Sequence, residues 1–298
     1  MADKRRYGNP GDFRRALTDR LKNAAMEGRW TLPQLQRQIA YDRLLQRLYL
    51  ADNGWVVKGA AALLARDIGV RATIDIDVYR GLPTDVAERD LREAAVQDTG
   101  DWFRFEIGPA QPVRDGAIGI RLPVTAFIGA TRWVEFRVDL VGADVRMTGE
   151  PEDVPPLARI DMPDVEQQGY RAYPLVDHVA DKVAATFDRY GQMEAPSTRY
   201  RDLVDLVAIA TGASVEADPQ MAALASEAER RGITLPRRFD VPARDLWEPG
   251  YARAARDALP PTPATLDEAL AAVRPFVDPP LDGTARGRWD PKAGRWMD

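Results

Sequence analysis

The sequence predicts a two-lobed α/β (α+β) protein, with a mixed-sheet lobe over residues 1–165 that opens with two helices, and a helical lobe over residues 166–298. Three observations carry that expectation. Between Trp55 and Leu140, short runs alternate apolar and polar residues at the strand period, with helix-length segments among them. Past Tyr170 the apolar residues recur at helical spacing and alanine becomes frequent. Between these regions, residues 144–170 are rich in proline and acids (Pro151, Pro155, Pro156, Pro163) and read as an exposed connection.

With 298 residues the chain is long enough to bury a sizeable core in either lobe. Its 45% hydrophobic and 29% charged residues exclude a disordered class. No apolar run approaches the roughly eighteen residues of a membrane span, and the start, MADKRRYGNPGDFRR, lacks the apolar core of a signal peptide. The absence of cysteine excludes a disulfide framework and thiolate metal sites and fits a cytoplasmic protein. The single histidine, His178, excludes His-rich metal centres and is expected as a half-buried helix residue. A monomer is expected, with no membrane partner. The net charge of −5 argues against a generic nucleic-acid binder. Yet residues 1–50 hold eleven Lys/Arg against five acids, a local +6. Such a surface either contacts RNA phosphates or serves solubility through helix-surface salt links.

In order, Asp12 is expected to cap a helix over Phe13–Met26 with Leu17, Leu21 and Ala25 on one stripe. Thr31 caps a second, with Pro33 in its first turn and Leu35, Ile39, Leu44, Leu45 and Leu48 buried. Asn53-Gly54 ends it. An apolar run, Trp55-Val56-Val57, leads into Lys58-Gly59, a helix from Ala60 to Asp67, and an extended segment carrying Asp75 and Asp77. A helix from about Thr84 to Val96, capped by Thr84 or Asp85, follows. Strands are expected at 103–107, 118–122, 124–128 and 133–140, separated by turns at Gly108-Pro109, Asp115-Gly116 and Gly129-Ala130. The helical lobe holds helices at 174–187 and 199–209, then at 221–230, 251–258 and 265–273, broken by proline segments. Trp247, Tyr251, Phe276, Trp289 and Trp296 are expected to pack it, and Arg230, Arg231, Arg237 and Arg238 form a second basic cluster.

The stretch with the most chemistry is Trp55–Tyr79. Side chains alternate along a strand, so Asp75 and Asp77 point the same way while Ile74, Ile76 and Val78 make the other face apolar. Two carboxylates on one face repel each other unless a cation sits there, and Mg2+ takes a few carboxylates plus phosphate oxygens. Backbone N–H groups at Gly59-Ala60, where a helix begins, suit a phosphate tail. Without such context Asp-x-Asp reads equally as solvated strand-end charge. Glu135, Arg137 and Asp139 share a strand face, which makes Asp139 either a third carboxylate or part of an ordinary polar face.

Lys58-Gly59-Ala60-Ala61-Ala62-Leu63, then Arg66, then Arg71-Ala72-Thr73-Ile74-Asp75-Ile76-Asp77 resembles the signature of the AbiEii/AbiGii nucleotidyltransferase toxins, a group that includes the MenT toxins. That signature is Lys-Gly-Gly-x-x-Leu, an Arg three residues on, then Arg-x-Thr/Ser-x-Asp-x-Asp. The chain departs at Ala60, where the family has a second glycine; alanine restricts the turn and so the approach of phosphate. Two later segments resemble the family's Asp-Lys-x-x-Ala helix and Arg-x-Lys/Arg-Asp-Leu-x-Asp-Leu: Asp181-Lys182-Val183-Ala184-Ala185 and Arg199-Tyr200-Arg201-Asp202-Leu203-Val204-Asp205-Leu206.

The resemblance implies a nucleotidyltransferase-type sheet, with Mg2+ held by Asp75 and Asp77 and an NTP substrate held by Lys58, Gly59, Ala60 and Lys182. Asp202 matches an acid the family uses for activity, with Asp205 its structural partner. Read alone, Lys182 is a surface lysine and Asp202 and Asp205 are helix charges. Asp139 would help activate the attacking hydroxyl. Thr73 could touch phosphate, and Arg66 and Arg71 either touch phosphate or make buried salt links. The resemblance further implies a toxin of a type IV-like toxin–antitoxin system that adds nucleotides to the 3′ end of tRNA. That addition would block aminoacylation and translation, and a cognate antitoxin would be the partner. The competing functions are transfer to a protein or a small molecule (AMPylating or antibiotic-modifying enzymes of the same fold), a non-catalytic regulatory module, and a metal-dependent hydrolase.

Overall fold

The structure, a computed structural model, describes residues 6–69, 72–113, 119–143, 147–191, 193–259 and 261–298. The expected turn at Asp115-Gly116 and the first residue of the expected strand at 118–122 lie outside the described residues. The chain folds into two compact units: residues 1–61, 73–145 and 153–172, and residues 62–72, 146–152 and 173–298. No helix among the described residues is long and apolar enough to cross a membrane.

The first unit is built from helices α1 (Pro10–Glu27), α2 (Leu32–Ala51), the start of α3 (Gly59–Ala65) and α4 (Thr84–Ala95). Its strands are β1 (Trp55–Lys58), β2 (Asp75–Arg80), β3 (Phe103–Ile107), β4 (Gln111–Pro112), β5 (Ile120–Ile128), β6 (Thr131–Val141), β7 (Glu152–Val154) and β8 (Tyr170–Ala172). Among the described residues they form one mixed sheet in the order β3-β5-β6-β2-β1-β8-β7, with β4 also on β5. β2 runs parallel to β6 and antiparallel to β1, and β1 is parallel to β8. Long β5 and β6 form a hairpin through Gly129 and Ala130, so the expected strands at 118–122 and 124–128 are one strand over their described part, running straight through Pro123.

Asn9, not Asp12, caps α1: its side chain accepts from the Asp12 N–H, and Pro10 occupies the first turn, which lacks helical N–H partners anyway. Thr31 and Gln34 form a capping box on α2. The sequence marks one apolar stripe on α2, but Gln38, Asp42, Arg43, Gln46 and Arg47 are buried as well. The reason is charge pairing: Arg47 donates to Asp101 at 2.7 and 3.0 Å and Arg43 lies 3.6 Å from the same carboxylate. Two of the basic residues that read as N-terminal surface charge are therefore interior. The proline-rich stretch is also not simply exposed: β7 joins the sheet, and Val154, Ala158, Ile160, Met162 and Val165 are buried. The Asp42 carboxylate anchors it, accepting the Leu157 and Ala158 N–H groups at 3.1 and 2.8 Å.

The second unit contains α5 (Leu175–Phe187), the short pair β9 (Arg189–Tyr190) and β10 (Ala195–Pro196), then α6 (Tyr200–Gly212), α7 (Ala217–Arg231), α8 (Arg244–Arg256) and α9 (Leu266–Asp282), closed by a hairpin of β11 (Arg288–Asp290) and β12 (Arg295–Met297). α9 starts at a Thr265/Glu268 capping box and runs past Pro275, Pro279 and Pro280, longer than the expected 265–273. Burial of Leu270, Val273, Phe276 and Val277 outweighs the hydrogen bonds that the prolines remove. The aromatic residues pack this unit as expected: Trp247, Tyr251, Phe276 and Trp289 are buried, and the Trp247 and Trp289 indoles donate to the Ser197 and Ala210 carbonyls. His178 is fully buried rather than half-buried, edge-on to Tyr173 at 5.2 Å. Arg231 is tied to Asp181, Asp188 and Glu227, and Arg230 to Glu227, so half of the second basic cluster is neutralised.

Candidate active site

In β2 the sequence Asp-Ile-Asp-Val alternates as expected: Ile76 and Val78 are buried, and Asp75 and Asp77 face the other way. Ile74, expected on the apolar face, precedes the strand and is half exposed. The sheet register builds the site. Lys58 of β1 pairs with Asp77, Asp77 pairs with Asp139 of β6, and Asp139 pairs with Arg121 of β5. Register partners on neighbouring strands share a face. The four side chains therefore make one row across the sheet, cation–anion–anion–cation. One step along, Asp75 pairs with Arg137.

Ion pairs fix this row. Arg121 grips both Asp139 oxygens, at 2.7 and 2.6 Å, the bidentate fit that suits a guanidinium. That bond, with Asp139, Asp75 and Asp77 nearby, lifts the Arg121 pKa despite partial burial. Arg137 Nε donates to Asp75 Oδ1 at 2.5 Å. Gly59 follows Lys58 at φ +62°, and a Cβ there would stand 1.9 Å from Asp77 Oδ2. Glycine is required at this turn by both its backbone conformation and the approach of the carboxylate. Ala60 begins the buried side of α3. The Thr73 hydroxyl bonds the Asp75 backbone, donating to its carbonyl at 2.7 Å. From α2, the Tyr41 hydroxyl donates to the Thr73 carbonyl at 3.2 Å; burial pushes its pKa up.

The donor set here is hard oxygen, with Asp75 and Asp77 on one face and Asp139 on the adjacent strand. That chemistry fits Mg2+, which keeps phosphate and water oxygens in its shell. Among the described residues no three His, Cys, Asp or Glu side chains gather as a metal cluster. Two carboxylates completed by substrate oxygens are the arrangement these residues can offer.

The second unit holds the other candidates. Lys182 of α5 is buried, and its Nζ donates to Asp202 at 3.0 Å and to Asp205 at 2.7 Å, both on α6. Burial alone would lower the Lys182 pKa; the two carboxylates outweigh it and hold it raised. Asp202 is buried too, which favours its neutral form, but Arg199 and Lys182 keep its pKa low. Arg199 Nε donates to Asp202 at 2.5 Å with its side chain 41% exposed. Lys182 is thus not a surface lysine, and Asp202 accepts from Lys182 and Arg199. Arg66 makes the salt-link alternative, donating to Glu152 at 3.0 Å and to the Tyr173 carbonyl at 2.8 Å. Arg71 lies outside the described residues. Sequence reasoning does not single out Arg121, Arg199 or Tyr41. Arg199 stands in the quoted motif and is findable there, whereas Arg121 carries no sequence signal, since only the hairpin register puts it beside Asp139.

A family profile described as nucleotidyl transferase AbiEii toxin, Type IV TA system, matches residues 43–272. No curated protein matches the sequence. Among solved structures, the chain is similar to MenT4, a nucleotidyltransferase toxin from Mycobacterium tuberculosis H37Rv, at 17% identity and a TM-score of 0.56, covering 86% of this chain and 87% of that one. It also matches JHP933 from Helicobacter pylori at 15% identity and a TM-score of 0.41, over 83% of this chain and 89% of that one. The MenT4 likeness is one of fold. The profile spans most of the sequence, including β1, α3, β2, β6, α5 and α6, which bear the candidate residues, and the chain belongs to the AbiEii nucleotidyl transferase toxin family.

Proposed function

We propose that this toxin transfers a nucleotide from an NTP to the 3′ end of tRNA, blocking aminoacylation and so translation. The observation that carries the transferase reading is the row Lys58–Asp77–Asp139–Arg121 with Asp75 beside it, set against a glycine turn too tight for any other residue. Asp75 and Asp77 would hold Mg2+, which when bound neutralises the triphosphate and favours in-line displacement. Lys58 and the backbone of Gly59 and Ala60 hold the phosphates, and Thr73 keeps the strand entry in place through its bonds to the Asp75 backbone. The acceptor 3′-hydroxyl oxygen bonds to the α-phosphorus, the bond from that phosphorus to the β-phosphate bridging oxygen breaks, and pyrophosphate leaves. Asp139 takes the hydroxyl proton on a lone pair that the two Arg121 bonds, one to each oxygen, leave open.

The roles of Lys182 and Asp202 rest on the family motif. Two of the three Lys182 N–H donors are already given to Asp202 and Asp205, leaving one for a phosphate oxygen. The antitoxin is the partner that the family implies. The test is incubation with Mg2+, total tRNA and each α-labelled NTP in turn. Label on tRNA that periodate oxidation of the 3′ end prevents supports the reading. Label on protein or on a small molecule keeps the transferase and discards tRNA.

A further inference from the structure

A cavity of about 600 Å3 lies in the first unit, between α1 and the tip of the β5–β6 hairpin. Arg14, Arg15, Thr18 and Lys22 line it from α1, Gln36 from α2 and Thr131 from β6, with Asp19 the single acid among the described residues. Arg14, Thr18 and Lys22 are four residues apart, so they form one stripe along α1 spanning about 12 Å. Arg15 and Lys22 are exposed, and their pairs with Asp12 at 3.6 Å and Asp19 at 3.3 Å are solvent-screened contacts that yield to a stronger anion. Among the described residues no aromatic side chain lines the cavity, whereas the centre of a protein–protein interface is apolar and aromatic. The helix that builds it, α1, precedes residues 43–272 matched by the family profile.

We infer that this groove is a second contact for the RNA acceptor, a docking surface for its sugar–phosphate backbone, distal to the carboxylate row. This inference rests on the reading of RNA as acceptor. Arg14, Arg15 and Lys22 meet phosphates as point charges and forks, and Thr18, Gln36 and Thr131 offer neutral hydrogen bonds to phosphate and ribose oxygens. The groove's place on β6 sets the separation: Thr131 is six residues before Arg137, the partner of Asp75, about 20 Å along the strand. The two contacts would fix an RNA chain at two points several nucleotides apart.

The test measures binding of 5′-labelled total tRNA to the Asp75→Ala protein, with and without Arg14→Ala/Arg15→Ala/Lys22→Ala, across a series of salt concentrations. The expected result is a roughly tenfold weaker affinity in the triple variant, with the slope of log K against log[salt] shallower by about 2. Arg14→Lys/Arg15→Lys, with Lys22 kept, restores most of both. Arg15 and Lys22 are exposed and Arg14 is half-buried, and an unchanged circular dichroism spectrum and melting temperature check that the helix stays folded. Unchanged affinity and slope overturn the groove while leaving RNA as acceptor. If the protein without groove substitutions binds no RNA at any salt concentration, the groove and the acceptor reading both fall. Loss of binding to an acidic protein partner with RNA binding intact also overturns the proposal.

Discussion

Asp77 sits where three constraints meet: the Lys58 register on one side, Asp139 on the other, and the Gly59 backbone against its Oδ2. A methyl group at Gly59 has no room, and φ +62° adds a conformational penalty for any side chain. Gly59→Ala is therefore expected to lower the unfolding free energy by about 1–3 kcal/mol and to displace Asp77. Urea denaturation checks the first and nucleotide transfer the second; an alanine variant with native stability and native rate would contradict the close approach. Arg121 and Arg137 each hold a carboxylate, Asp139 and Asp75, and so set the geometry of the acids.

At the level of elements, two helices carry buried charge that couples them to their neighbours. In α2, burial pushes the Asp42 carboxyl up to about 7, against the pull of the Ala158 N–H, the Arg43 charge and the Leu157 N–H. The folded pKa lies above the unfolded value, so between about pH 4 and pH 7 the folded chain binds more protons than the unfolded one. Its stabilising contribution is full below the unfolded pKa and is lost as pH rises through the folded one. Urea midpoints should fall from pH 5 to pH 8 in the native protein, and Asp42→Asn should remove that part of the fall. An identical slope in the variant would contradict it. Between α5 and α6, Lys182→Met removes the cation that Asp202 and Asp205 share, leaving Asp202 its bond from Arg199. A cost of about 3–5 kcal/mol is expected, read as a lowered urea midpoint. An unmoved midpoint would show that the pair does not hold the two helices.

These elements also show what is legible in the sequence. β2 and the turn before it can be read because alternation and a glycine are local signals. α5 and α6 can be read from their apolar period. The burial of Arg43, Arg47 and Asp101 cannot, since a charged side chain looks the same in sequence whether its partner is water or a carboxylate fifty-odd residues away. The 144–170 stretch misleads for a related reason: proline and acid content signals a loop, but the Asp42 carboxylate that anchors Leu157 and Ala158 lies far back in the chain. Arg121 becomes visible only through the register of the β5–β6 hairpin.

Over the whole molecule, each unit has its own core, and each carries one part of the candidate chemistry: the carboxylate row in the sheet unit, the Lys182–Asp202–Asp205 cluster in the helical unit. The family assignment makes the protein a nucleotidyl transferase toxin, and in the proposed reading the row gives the sheet unit its means for phosphoryl transfer. The most direct test of that account is the rate of pyrophosphate release from NTP in the presence of tRNA for the native protein, Asp75→Ala and Asp77→Ala, with melting temperatures recorded in parallel. The account predicts a loss of about a hundredfold or more in both variants with melting temperatures kept within a few degrees. Pyrophosphate release at the native rate from a folded Asp75→Ala or Asp77→Ala protein would contradict it.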